Sequence, residues 1–162
     1  MPTIKKILCP VDFFPHSDAA VQYAADLATQ FGATIHLVHV VMHVMPAAYE
    51  YPLNTSDVIR SVEDASKREM NKLVARLKKR NVKVTSEVRT GHIHEVLKRV
   101  ISTVKPDLVV TANHGRSGLE RFFMGSVTEW LTRNSTVPVL AVPIDTKAKP
   151  ARRKARPAKR AA

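Results

Sequence analysis

The chain alternates short, continuous apolar runs with longer stretches in which apolar residues return every three or four positions. The first run, residues 5–12, ends in Asp12 and has the length of a buried strand. Ala20, Ala24, Leu27 and Phe31 then recur at helical spacing. Ser17 is placed to cap this helix, and Gly32 falls just past its end, where a left-handed residue is wanted. Ile35 to Val41 reads as a second strand, rich in β-branched residues, and residues 42–55, with Pro46 and Pro52, as a long loop.

A long helix is predicted from about Ser56 to Arg80, with Ile59, Val62, Met70, Leu73 and Leu77 on one face. Its basic side, Lys67 to Lys79, reads as a solvated face. Val82 to Arg89 alternates apolar and polar, as a strand exposed on one side does. Ile93, Leu97, Val100 and Val104 mark a third amphipathic helix. Leu108 to Ala112 is a short apolar strand, Gly125 to Asn134 a short helix, and Pro138 to Val142 a last strand with proline at its first position. Strand and helix alternate throughout, which predicts a single-domain α/β fold: a five-stranded parallel sheet with right-handed crossovers and helices on both faces. The domain is expected to span residues 1–145.

Charge changes the picture only at the end of the sequence. The net charge is +12, and the eight basic residues from Lys147 to Arg160 face no acid, so residues 1–145 carry only +4. Residues 146–162 are Lys, Arg, Ala and Pro apart from Thr146, and a segment with nothing to bury is expected to be a disordered basic tail. The single cysteine, Cys9, lies in an apolar run and reads as a buried, inert thiol. No cleavable signal or membrane-length apolar run is read, so a cytoplasmic, membrane-free protein is expected.

Ligands of open parallel sheets bind beyond the carboxyl ends of the strands. The residues there are Asp12, Val40 and Val41, and the segment from Thr111 to Ser126. That segment holds three of the five glycines, Gly115, Gly118 and Gly125, between an apolar strand and a helix that opens Gly125-Ser126-Val127-Thr128. Glycines admit an anion to backbone N–H groups, and a helix N-terminus offers unpaired donors. His114 and Arg116 add side-chain donors suited to a phosphate chain. Equally, the glycines serve as turn residues and Ser126 as a plain N-cap, and Asp12 as a helix-entry aspartate. His36 and His39, three apart in a strand, point to opposite faces, and His92 and His94 diverge, so no metal site is read. Trp130 reads as core or interface rather than as a stacking platform. No base and nucleophile pair stands out for catalysis.

Over residues 3–143 the sequence resembles the universal stress protein family. The likeness rests on Ile7-Leu8-Cys9-Pro10-Val11-Asp12-Phe13, on Ser17 and Ala20, on His39-Val40, on Gly91, and on Gly115 followed after nine residues by Gly125-Ser126. In the family's nucleotide-binding motif another glycine precedes by three, where this chain has Ala112. The resemblance implies a Rossmann-like, adenine-nucleotide-binding domain. Adenine would sit near Asp12 and Val40, with the triphosphate of ATP in the loop of Ala112, Gly115, Gly125 and Ser126 and Mg2+ carried by the nucleotide. Asp12 would accept from a ribose hydroxyl or the adenine amine. It also implies a homodimer through Pro138–Val142 and a regulatory role in the stress response, with nucleotide as signal or switch. The rival expectations are a slow ATPase, and a scaffold whose tail binds nucleic acid without sequence preference.

Overall fold

The computed structural model describes residues 3–42, 55–113 and 125–143. The predicted loop between Val41 and the long helix, the glycine segment from His114 to Met124, and the basic tail lie outside the described residues. The elements alternate as the pattern requires: β1 (Lys6–Pro10), α1 (Pro15–Phe31), β2 (Thr34–Val41), α2 (Thr55–Lys78), β3 (Lys83–Thr90), α3 (Ile93–Val104), β4 (Leu108–Asn113), α4 (Ser126–Asn134) and β5 (Val139–Pro143). The five strands form one parallel sheet in the order β3-β2-β1-β4-β5.

Alternation along the strands divides the core in two. Ile7, Cys9, Val11, Ile35, Leu37, Val110 and Ala112 meet the small-residue face of α1 (Ala20, Ala24, Ala25, Ala28) and Met70 and Leu77 of α2. Leu8, Val38 and Val109 project the other way, against Val96, Leu97, Val100 and Ile101 of α3 and Leu131 of α4. Four alanines on α1 let that helix lie close to the sheet. Burial pushes the Cys9 thiol up to about 12, so it stays protonated and inert.

Local chemistry shifts one expected boundary and keeps another. Helix α1 begins at Pro15, not at Ser17, because proline is already shaped for the first helical position. Ser17 lies inside the first turn and donates its hydroxyl to Phe14 O (3.2 Å). At the other end Gly32 adopts φ 66°, and both it and Ala33 donate to Ala28 O, closing the helix as the sequence predicts. The basic side of α2 is not wholly solvated. Arg76 reaches Asp18, and Arg80 reaches Gln22 (2.6 Å) and Asp26 (2.6 Å), so polar residues spaced by four on α1 meet one arginine in the last turn of α2 and one just past its end.

Edge strand β3 turns Val84 and Val88 toward the α1/α2 core. On its other face, His36 of β2 donates to Glu87 (3.0 Å) and sits 2.8 Å from the Thr85 hydroxyl, while Arg89 donates to Glu87 (2.6 Å). Burial pushes the Glu87 carboxyl up, but the hydrogen bonds from His36 and Arg89 outweigh it and hold the group below its ordinary value.

At the amino end of the sheet, Asp107 accepts from the backbone N–H groups of Lys5 (2.8 Å) and Lys6 (2.9 Å), which ties the entry of β1 to the entry of β4. Those two bonds hold its carboxyl below the ordinary 3.8. A group depressed in the folded state contributes stability above its unfolded value, and that contribution is lost as pH falls through the folded value. Asp107→Asn is therefore expected to melt roughly 2–5 °C lower than the parent at neutral pH. The gap should narrow as the pH falls below the ordinary carboxylate range. A constant gap across that range, read by circular dichroism melts, would contradict the role.

Candidate functional site

The strand order reverses between β1 and β4: the chain leaves β1 for β2 on one side, then returns to add β4 on the other. Ligands of open parallel sheets collect at the carboxyl side of such a switch point. The pairings Leu8↔Val109 and Pro10↔Val38 define the register there. Carried forward, the β1–β2 pairing sets Val40 beside Asp12 in a row on one face, and alternation along β4 puts Asn113 on that face, while the β1–β4 pairing itself ends at Leu8 and Val109. Residues two and four earlier, Leu8, Val38 and Val109, belong to the α3/α4 face, and Val40 packs against the same cluster. The row therefore lies on the side of the sheet where α4 begins.

The turn that follows β1 is held on several sides. Val11 N donates to Val38 O (2.9 Å), which extends the ladder one residue beyond the strand. Asp12 Oδ1 accepts from Phe14 N (3.0 Å), closing a turn over Phe13, whose φ is 63°. A bulky residue in that region costs energy and needs support. His39 supplies it: Nδ1 donates to Val11 O (2.8 Å), and the imidazole lies 4.4 Å from the Phe13 ring. Neither the His39 side chain nor Phe13 is marked in the sequence as shaping the site.

Helix α4 begins with Gly125 at its N-cap (φ −56°, ψ 144°), and no side chain among the described residues caps it. The first intrahelical bond runs from Glu129 N to Gly125 O (2.9 Å), so the N–H groups of Ser126, Val127 and Thr128 stand ahead of the hydrogen-bonded ladder. Three donors and the positive end of the helix make this an anion-accepting terminus. Thr128 plays a different part from its neighbours. Its buried hydroxyl donates to Ala112 O (2.8 Å) and lies 3.1 Å from Thr111 Oγ1, fastening the first turn of α4 to the end of β4. Leu131, fully buried, anchors the next turn.

Ala112 sits in β4 with its methyl in the core beneath α1. Its side chain points away from the α4 terminus, and its carbonyl is engaged by Thr128. Asn113, within the segment from Thr111 to Ser126, ends β4. Its Oδ1 is shut off from solvent and accepts no hydrogen bond, the one side-chain N or O atom so placed among the described residues. Of the expected site residues, Asp12, Val40, Ala112, Gly125, Ser126, Val127 and Thr128 gather at one end of the sheet, whereas His114, Gly115 and Arg116 lie outside the described residues.

One expectation about the histidines is corrected by the structure. His36 and His39 have separate partners, and the described residues hold no group of three or more His, Cys, Asp or Glu side chains able to bind a metal. His92 and His94 do not diverge: their rings meet edge to face at 5.3 Å, because the turn into α3 folds His92 back. His94 in turn stacks on Trp130 of α4 at 4.8 Å with the planes 6° apart, so the half-buried indole both packs on the core and presents a face.

The arrangement pairs an anion-accepting helix terminus with oxygen acceptors on neighbouring strand ends. An adenine nucleotide fits that chemistry, since its phosphates need donors and its ribose and amine offer hydrogens.

Residues 3–143 match the family model described as the universal stress protein family. Universal stress protein A homolog 1 of Coxiella burnetii is 29% identical over 145 residues, covering 85% of this chain and 95% of that one. Universal stress protein MJ0577 of Methanocaldococcus jannaschii is 27% identical over 152 residues, 85% of this chain and 94% of that one. The solved structure of MJ0577 superposes with a TM-score of 0.74 at 23% identity, covering 89% of this chain and 99% of that chain. Two further folds of this kind were solved with ligands. One is a universal stress protein in complex with cAMP (TM-score 0.64, 19% identity, 88% and 98% covered). The other is a universal stress protein family protein of Arabidopsis thaliana with AMP bound (TM-score 0.65, 18% identity, 91% and 97% covered).

Proposed function

This chain belongs to the universal stress protein family, and on that premise we propose that it is an ATP-binding regulatory protein of the stress response, with the nucleotide as signal or switch. The observation that carries the reading is the start of α4, where three backbone N–H groups precede the first helical bond and no side chain among the described residues caps them. In this reading Gly125, Ser126 and Val127 hold phosphate, together with Gly115, His114 and Arg116. Thr128 and Ala112 hold the terminus in place, and Asp12 and Val40 receive the nucleoside. Mg2+ arrives with the nucleotide. The AMP and cAMP carried by two structural neighbours share the adenosine and one phosphate with ATP, which supports an adenine nucleotide as the ligand class.

Calorimetry of the purified protein with Mg-ATP tests the reading. Binding in the micromolar range is expected, with GTP weaker because the base is read beside Asp12 and Val40. No heat and no thermal shift at saturating Mg-ATP would refute it. Hydrolysis is expected to be slow or absent: Glu129, an acid in the first turn of α4, is paired with Arg133 (3.0 Å). A phosphate-release assay distinguishes this from a working ATPase.

The reading includes a cytoplasmic homodimer formed through Pro138–Val142. Strand β5 lies at the edge of the sheet, where a second copy would pair an otherwise open strand. No helix among the described residues is long and apolar enough to cross a membrane. A second activity is proposed for residues 146–162, whose eight positive charges have no acid among them. With about five phosphates neutralised, binding to duplex DNA should fall with salt at a log–log slope of roughly −4 to −5. No aromatic residue interrupts the tail, so base stacking adds nothing. Truncation after Asp145 is expected to abolish DNA and RNA binding at low salt while leaving melting temperature and ATP affinity unchanged. Equal gel shifts by the full and truncated chains would remove the tail from any such role.

A further inference from the structure

The described residues line a cleft of about 400 Å³ between the start of α1 and the second half of α2. It lies on the α1/α2 face of the sheet, opposite the side where α4 begins. Its walls are largely apolar: Phe13, Phe14 and Val21 from the chain leaving β1, and Leu73 from α2. Phe14 is 62% exposed, and it stands at the N-cap of α1, a position that favours small polar residues. An exposed ring at the mouth of an apolar cleft of this size is the ordinary make-up of a small-molecule site.

The rim selects the charge of the ligand. Arg76 is paired with Asp18, and Lys72 with Glu69 (2.7 Å), so two cations and two anions cancel around the opening. A charged ligand would have to break one of those pairs. A neutral one with a hydroxyl or N–H meets carboxylate acceptors already in place. The chemistry fits a neutral aromatic molecule, its ring against Phe14 and Leu73 and its polar group at the rim.

The cleft also shares a turn with the nucleotide site. Asp12 falls beside Val40 by the β1–β2 register, while the next two residues, Phe13 and Phe14, line the cleft. Asp12 Oδ1 accepts from Phe14 N (3.0 Å), and Phe13 is held at φ 63° with its ring on His39. A bulky residue in that region is strained. A ring packed on Phe13 and Phe14 would stabilise the turn as it stands, and with it the orientation of the Asp12 carboxylate. A carboxylate accepts several hydrogen bonds, so the one from Phe14 N does not exclude another from a nucleoside.

We propose that the α1/α2 cleft is a second ligand site, for a small neutral aromatic molecule, whose occupation tightens nucleotide binding through the Asp12–Phe14 turn. The site stands on the cleft alone, whereas the coupling rests on the nucleotide reading above. Linkage is reciprocal, so ATP tightens the aromatic ligand by the same factor.

Two-dimensional NMR titrations of the isotope-labelled chain with 2-naphthol and with indole test the site in the absence of nucleotide. A dissociation constant of about 0.1–1 mM is expected for 2-naphthol, with shifts concentrated at Phe13, Phe14, Leu73 and Arg76. Phe14→Ser should weaken it roughly fivefold or more. Because that variant puts a preferred cap at an exposed position, it should melt at or above the wild-type temperature. Phe31→Ser removes a half-exposed ring at the far end of α1 and should leave probe affinity unchanged. Calorimetry then measures Mg-ATP with and without saturating 2-naphthol. Wild-type ATP affinity should rise about fivefold or more with the probe, and Phe14→Ser should show no rise. The site is overturned if neither probe binds, if Phe14→Ser binds like wild type, if both variants lose the probe equally, or if Phe14→Ser melts markedly lower. Probe binding that leaves ATP affinity unchanged or lowers it overturns the coupling while the nucleotide reading stands. A chain that binds the probe but never ATP upholds the cleft and overturns both the coupling and the nucleotide reading.

Discussion

Gly125→Val is expected to reduce ATP affinity by at least about a hundredfold while leaving the circular dichroism spectrum of the native chain intact. The reason lies in the geometry of the α4 N-cap. With φ at −56° and ψ at 144°, Gly125 occupies a conformation open to any residue, so substitution brings no backbone strain. What valine adds is a branched side chain at the mouth of the helix, where a phosphate must approach the N–H groups of Ser126 to Thr128. Loss of three charge-assisted hydrogen bonds, each worth about 1.5–3 kcal/mol, exceeds a hundredfold in affinity. Titration calorimetry and far-ultraviolet circular dichroism on the same preparation give the result. Wild-type affinity in the variant would remove the α4 terminus from the site, whatever the ligand.

The second large effect concerns stability. Leu131 is fully buried on α4, in the cluster that also holds Leu8, Val38, Leu97 and Val109. Leu131→Ala should cost about 2–5 kcal/mol, the transfer term for the lost methyl groups plus a term for the cavity left behind. The site should suffer as well, because Leu131 and the Thr128 hydroxyl together seat the first turns of α4 on the sheet. Urea unfolding should show a lower midpoint with an unchanged slope. A loss under about 1 kcal/mol would mean that the α4 side of the core repacks freely. Nothing in the rigid interdigitation of the two faces leads one to expect that.

Much of this architecture was legible in the order of residues. Continuous apolar runs of strand length, separated by apolar positions at helical spacing, determined the element order and with it a parallel sheet covered on both sides. The same local chemistry placed Gly32 at the end of α1, since a left-handed residue there needs no knowledge of the rest of the chain. Asp12, Val40 and the Gly125-Ser126 pair were legible as site candidates because strand ends and helix starts are local features.

What the tertiary structure decided are matters of register and facing. The sequence shows Asn113 as one polar residue after an apolar run. Only the sheet sets it beside Pro143 of β5, and only packing shuts its oxygen off from solvent. Ala112 looked, by motif alone, like a residue lining the phosphate loop, yet strand alternation turns its methyl into the core under α1. Thr128 reads as one more helix-start residue until the fold brings its hydroxyl to a carbonyl sixteen positions away. His39 supports the strained Phe13 from a different strand, and His94 finds Trp130 across two helices. Periodicity is set within a few residues of chain, so the sequence carries it openly. Contacts between distant segments depend on how the strands are ordered, and that is fixed only when the whole sheet forms.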